Sequence, residues 1–268
     1  MFEVLLNTGG NGPRTALLRE PSGREETLFT RESSVLASEL VGRLLVSVNG
    51  APSSEAPVWS LSIADRDRLI AELHLRCFGD HVDAVAPCRS CRKGFSLGFS
   101  LSALLSDRRA RSDVAGLAEG PDAAGLYTLG DGTRFRIPTA GDERALVGKP
   151  PDIFGRALLE RCVVDGDIER SGERVQEAME AVAPVLNLDL PASCPLCGAE
   201  QDVAFDLVSF FMTALIRERP LLVREVHYLA RAYRWSHAEI LGLRRSERRA
   251  FVALVLAEFQ ARAGGLSS

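Results

Sequence analysis

The chain has 268 residues, of which 46% are hydrophobic, 25% charged and 6% aromatic, with a net charge of −4. That predicts a packed core of mostly Leu, Val and Ala, and the acidic balance argues against non-specific nucleic-acid binding by the whole chain. No run approaches the roughly 18 apolar residues of a membrane span, the start MFEVLLNTGGNGPR shows no secretory pattern, and six cysteines are too few for a disulfide scaffold; a cytoplasmic protein with reduced thiols is expected.

Residues 2–7 and 15–20 read as strands around the turn-rich TGGNGP. In PSGREE, Ser22 and Glu25 have capping-box spacing. Val35, Leu36, Leu40, Leu44 and Leu45 predict a helix over 33–48, followed by a loop, NGAPSSEAP. The clearest early helix covers 62–80, with Leu69, Ile70, Leu73 and Cys77 on one face and Gly79 as its stop. Phe95, Leu97, Phe99 and Leu101 alternate, as in a half-buried strand. Residues 106–125 are polar and rich in Gly and Ala, the composition of a partly mobile linker. LYTLGDGTRFRIP (126–138) is a hairpin signal. Helices are then expected from PTAGDER onward, over 156–164 and over 173–187, before QDVAFDLVSFF at 201–211.

The chain repeats itself. CRSCRKGFSLGFSLSALL aligns without a gap to CPLCGAEQDVAFDLVSFF at a constant offset of 106. Upstream, LREPSGREE (18–26) resembles FRIPTAGDE (135–143), and GRLLVSV resembles GRALLERCV. The expected fold is therefore α+β: a first half over 1–105, a linker over 106–125, a second half over 126–211 and a C-terminal helical module over 212–262. Each half would run hairpin, helices, cysteine knuckle, strand.

A CxxC knuckle aims two thiolates at one point, and two knuckles close a tetrahedral shell. Cys88, Cys91, Cys194 and Cys197 therefore predict one shared structural zinc, brought together by a pseudo-twofold between the halves. A pair of knuckles that has lost its metal is the alternative. A thiol oxidoreductase is disfavoured because a strand rather than a helix follows each knuckle. Catalytic zinc is disfavoured because four thiolates leave no open position. Cys77 and Cys162 fall in helical patterns as core thiols. His227 and His237 lack cysteine-like partners, and the acids Asp65, Asp67, Asp142 and Glu143 suit helix starts. No phosphate loop, dinucleotide fingerprint, nucleophile elbow or calcium loop occurs, so no catalytic residue is assigned.

In the C-terminal segment 217–260, Pro220 suits a first helical turn. Leu222, Val226, Leu229, Ala230 and Tyr233 form a stripe, Ser236 with Glu239 makes a capping box, and Ser246 is expected to cap a third helix. Tyr233 and Trp235 with Arg234, Arg244 and Arg245 form the candidate partner-binding face, because aromatic and arginine side chains are enriched at hot spots. The plainer alternative is a small helical subdomain with a solvated arginine rim; a helix-turn-helix DNA reader is a further rival, weakened by a short, mostly apolar central helix. The tail ARAGGLSS is expected to be disordered.

LREPSGREE, IADRDRLIAELHLRCFGD leading into CRSC, CPLCGAEQDVAFDL and VREVHYLARAYRWSHAEILGLRRSERR together resemble the T4-type baseplate hub assembly proteins of contractile phage tails. They are also similar to relatives encoded beside phage-tail-like injection systems. The resemblance covers most of the chain outside 106–125 and is most specific in AYRWSHAEILGL. It implies a non-enzymatic role in building or forming a baseplate or hub, with baseplate, hub or spike proteins as partners; the lack of an apolar span argues against a membrane and the net charge against nucleic acid. The alternative remains a zinc-containing helix-turn-helix regulator.

Overall fold

The computed structural model describes residues 1–6, 14–54, 58–111, 114 and 116–264. The first half contains β1 (Phe2–Leu6), β2 (Arg14–Leu18), α1 (Gly23–Leu28), α2 (Ser34–Leu44), β3 (Leu45–Val48) and β4 (Ala51–Pro52). A 3-10 turn at Val58–Ser60 leads into α3 (Ile63–Phe78), β5 (His81–Pro87), β6 (Gly94–Ser100) and α4 (Leu101–Asp107). The second half contains β7 (Leu117–Glu119), β8 (Leu126–Leu129), β9 (Arg134–Arg136), α5 (Ala140–Ala145), α6 (Pro151–Cys162) and β10 (Val163–Asp165). It continues with α7 (Ile168–Val182), β11 (Asn187–Ser193), β12 (Glu200–Asp206) and α8 (Leu207–Arg217). The C-terminal module is α9 (Arg219–Tyr233), α10 (His237–Gly242) and α11 (Arg245–Gly264). The fold is α+β, with small sheets that are all antiparallel.

The same order of elements occurs twice. β3 returns to pair with β2 of the first hairpin, and β10 returns to pair with β9 of the second. In both halves a long helix then leads into a two-stranded ribbon and a helix. The ribbons correspond residue for residue at an offset of 106: His81 faces Ser100 as Asn187 faces Asp206, and Pro87 faces Gly94 as Ser193 faces Glu200.

A polar network also recurs, at an offset of 117 for the turn residues and their arginine and of 118 for the helix-end carbonyl. Ser22 and Glu25 form a capping box on α1, and Thr139 and Asp142 form one on α5. Arg19 Nη2 donates to Glu25 at 2.6 Å and to the Arg43 carbonyl at 3.1 Å. Arg136 Nη2 donates to Asp142 at 2.8 Å and to the Arg161 carbonyl at 3.0 Å. One arginine thus ties a strand end, a capped turn and a helix C-terminus, where carbonyls lack intrahelical partners.

Each capped turn receives a helix start from elsewhere in the chain. On the second half, Ile63 N–H donates to the Pro138 carbonyl at 3.0 Å, Ser62 bridges Thr139, and Arg66 donates to Glu143 at 2.7 Å. On the first half, Arg245 N–H donates to the Pro21 carbonyl at 3.0 Å, Arg244 bridges Ser22, and Arg248 donates to Glu26 at 2.8 Å. The incoming segments share Leu61/Leu243, Asp65/Glu247 and Arg66/Arg248 at an offset of 182. Each is preceded by a short helical turn, Val58–Ser60 or α10.

The main core joins both halves. Leu18, Leu40, Leu44, Leu69, Ile70 and Leu73 of the first half pack with Phe205, Leu207, Phe211 and Met212 of the second. A second core, with Tyr127, Phe135, Leu159 and Val175, lies mostly in the second half, and a separate one built on Leu229, Ile240 and Val255 lies in the C-terminal module. Among the described residues, no helix is long and apolar enough to cross a membrane.

Several elements differ from the sequence expectation. The helix expected over 33–48 stops at Leu44, because Leu45–Val48 completes the sheet beside β2. The strand expected to run through Leu101 ends at Ser100, whose side chain accepts from Ala103 N–H and caps α4. The expected linker holds β7, paired with β8; its residues 112, 113 and 115 lie outside the described residues. The helix expected over 173–187 ends at Val182, and Asn187 opens β11. Ser246 is not a cap: it lies inside α11, and its hydroxyl donates to Glu20 at 2.7 Å. The TGGNGP loop falls outside the described residues, as do 55–57 of NGAPSSEAP. Of the expected disordered tail, Ala261–Gly264 continue α11, and 265–268 lie outside the described residues.

Candidate metal centre

The two ribbons carry the knuckles at their ends. Within the first, Arg92 N–H donates to the Cys88 carbonyl at 2.9 Å and Cys88 N–H to the Lys93 carbonyl at 2.9 Å. Within the second, Gly198 N–H donates to the Cys194 carbonyl at 2.8 Å and Cys194 N–H to the Ala199 carbonyl at 2.9 Å. Such a tight turn needs a left-handed residue. Gly198 supplies it with φ 73°, and Arg92 adopts it with φ 61° despite the cost of a Cβ there.

Facing ribbons bring the knuckles together, with Phe99 and Phe205 edge-to-face at 5.0 Å between centroids. Gln201 bridges the gap, accepting from Arg89 N–H at 2.8 Å and donating to the Pro87 carbonyl at 3.1 Å. The four sulfur atoms lie within 4.8 Å of one another and can hold a metal ion. The cross-pairs Cys88–Cys197 and Cys91–Cys194 stand at 3.7 and 3.8 Å. This is the exchange a local twofold requires, because it maps Cys88 on Cys194 and Cys91 on Cys197.

These separations are well beyond the roughly 2.05 Å of a disulfide. They match the edge of about 3.8 Å of a thiolate tetrahedron whose sulfurs sit about 2.3 Å from a central ion. Cys88 and Cys194 are buried, Cys91 is half-buried and Cys197 is exposed. Cys91 N–H points at Cys88 Sγ at 3.5 Å and is the main reason the Cys88 thiol is held down at about 6. Four sulfur donors would fill a tetrahedral shell around such an ion and leave no open position.

Cys77 and Cys162 are buried away from this cluster, as core thiols. Burial pushes Cys77 up to about 12 and Cys162 up to about 11.

The expected partner-binding residues do not form one exposed face. Arg245 is only 2% exposed, and its guanidinium pairs with Glu26 at 2.9 Å and with Glu218. It is an internal cation, because the turn it docks on supplies a buried carboxylate. Tyr233 and Trp235 are half-buried and stack at 4.8 Å between centroids, and both meet Phe251 edge-on. They pack within their own module. Arg234 and Arg244 are exposed, Arg234 as the left-handed C-cap of α9 and Arg244 paired with Glu247. Sequence reasoning missed Glu26, Glu225 and Arg248 as a buried cluster. Their signal is the recurrence of Leu, acid and Arg at 61–66 and 243–248.

Compared with known protein families, curated proteins and solved structures, the chain matches none.

Proposed function

We propose that this chain is a non-enzymatic assembly or structural protein of the baseplate or hub of a contractile phage tail or related injection system. In this reading Cys88, Cys91, Cys194 and Cys197 hold one structural zinc. The observation that supports a scaffold role is the meeting of four thiols, two from each half, at the ends of facing ribbons. A zinc held there would tie the two ribbon ends together, and its binding energy would be folding energy. The tail assignment rests on the sequence resemblance. The protein would act in the cytoplasm, free or incorporated in a particle, through contacts with baseplate, hub or spike proteins.

The test is to purify the tagged full chain from its own host, identify co-purifying proteins by mass spectrometry and measure bound metal. One zinc per chain together with spike, hub or wedge proteins is the expected result. Recovery without any tail protein would overturn the assembly reading, and a metal-free chain with reactive thiols would overturn the structural zinc.

A further inference from the structure

The C-terminal module is attached to the body in an unusual way. Its apolar core of Leu229, Ile240, Val255, Tyr233, Trp235 and Phe251 is separate from the main core. A single residue, Glu218, separates α8 of the body from α9 of the module. The seam carries several polar contacts, and the Arg245 guanidinium also lies over the Phe78 ring at 4.9 Å. Glu26 accepts from Arg245 and Arg248, Glu20 accepts from Ser246 N–H at 2.7 Å, and the Ala238 carbonyl accepts from Arg24 at 3.4 Å. One close apolar touch is Leu241 against Gly23, where an added Cβ would stand 2.8 Å from a Leu241 methyl.

That seam is also imperfectly satisfied. Arg248 is fully buried, yet its Nη1 meets no acceptor, and neither does Arg245 Nε. Each buried donor left unpaired costs about 1–3 kcal/mol. The equivalent arginine at the other turn, Arg66, donates to Asp67, Glu143, Ser38 and the Ser34 carbonyl, and no buried nitrogen of it lacks a partner. The recognition rule is transferable, since two different segments satisfy it: a backbone N–H to the turn's proline carbonyl, and an arginine three residues later to the turn's glutamate.

We propose that the Pro21–Glu26 turn is a docking site for an arginine-bearing helix start, and that the module seated there is exchangeable for that of a second copy of this chain. The occupant is the partner copy's α10–α11, whose Arg245 and Arg248 would meet Glu26 as they do within one chain. A module with its own core keeps that core when it leaves, uncovering on the body chiefly the Glu26 turn and the Phe78 ring under Arg245, and the link to the body is the single residue Glu218. Within one chain the tether supplies a high effective concentration, so exchange between copies is a matter of concentration and time. The site, the occupant and the link are all in the chain itself, so this inference stands apart from the tail assignment and from the metal.

The test uses full-length chains that each gain one cysteine at an exposed position beside the native six; because Cys197 is also exposed, only products whose link between the two introduced cysteines is assigned by peptide mass spectrometry of the gel band are counted. One carries Arg24→Cys and the other Ala238→Cys, which face each other across the seam. After incubation together, a short bis-maleimide is added and products are separated on a denaturing gel. The comparison pair is Arg24→Cys with Val147→Cys, a distant exposed position. Heterodimer several-fold above that comparison, growing with protein concentration, is the expected result. A chain carrying both Arg24→Cys and Ala238→Cys should link within itself when dilute. If that chain links internally while the mixture stays at the comparison level, the module is a permanent part of the body and the proposal falls. If it fails to link at all, the seam itself is wrong and the proposal falls with it.

Discussion

Pro21–Glu26 and Pro138–Glu143 are the same turn built twice, with the same capping box and the same arginine behind it. Under a twofold relation, α3 and α7 would each dock on the other half's turn. Only α3 does so. In α7 the position corresponding to Arg66 holds Ser171, which donates instead to Asp131 at 2.8 Å. The first turn is filled by α11 from outside the repeat. At the ribbon ends, by contrast, the two halves face each other as equals, with cross-pairs of 3.7 and 3.8 Å. Two similar halves can therefore be isologous at one contact and heterologous at another; one side chain decides which.

The metal centre gives the largest way to test the symmetric side of this comparison. Cys88→Ser and Cys194→Ser occupy equivalent positions, so both should release the metal and destabilise by at least about 4 kcal/mol. The two variants should melt within experimental error of each other in calorimetry with metal analysis. A wide gap between them would mean that the centre is not shared.

The asymmetric side is tested by the docking arginines. Arg66→Met strands Asp67 and Glu143, and removing one partner of a buried, satisfied network costs about 3–5 kcal/mol. Arg248→Met likewise strands the buried Glu26 and Glu225, but it also removes an unpaired donor that costs about 1–3 kcal/mol, so the net loss should be smaller than for Arg66→Met by about that amount. Urea midpoints decide the order, and equal costs would break the distinction between the joints.

Acid should act on both halves alike. Burial works against the Glu25 charge, but hydrogen bonds from Arg19 and Ser22 outweigh it and hold the carboxyl at about 2, below the ordinary 4.5. Asp142 is likewise held low, against burial, by Arg136 and Thr139. The native state thus binds fewer protons than the unfolded chain. The stabilisation is complete above about pH 4.5 and is lost as pH falls toward 2, by at most about 3 kcal/mol for Glu25. Glu25→Gln should flatten the fall in urea midpoint between about pH 5 and pH 3.

The smallest effect is local. Arg92 sits at the left-handed knuckle position that Gly198 fills in the other half. Arg92→Gly should raise stability by up to about 1 kcal/mol, and Gly198→Ala should lower it by about as much. A thermal melt resolves both directions.

The parts of this fold legible in the sequence are those set by a few neighbouring residues. The capping boxes at Ser22/Glu25 and Ser236/Glu239, the stop at Gly79 and the knuckles all stand where their spacing places them. The strands leading into the knuckles were not legible. HVDAVAP offers only Val and two alanines to its inner face, and NLDLPAS contains Pro191, which argues against a central strand. Pro191 is tolerated because β11 pairs on one side only, with β12.

The surroundings of the expected partner-binding residues were not legible either. Arg245 and Trp235 look like binding residues when read along the chain, and their surroundings come from elsewhere: Glu26 lies 219 positions away from Arg245, and Phe251 lies on the next long helix. The sequence alone determined the α+β class, the duplicated order and the four candidate cysteines, because caps, knuckles and repeats are local or can be compared by alignment. Only the tertiary structure decided that the knuckles meet and which helix start fills which turn. Those outcomes depend on which distant carboxylate a buried arginine can reach, and no spacing along the chain encodes that distance.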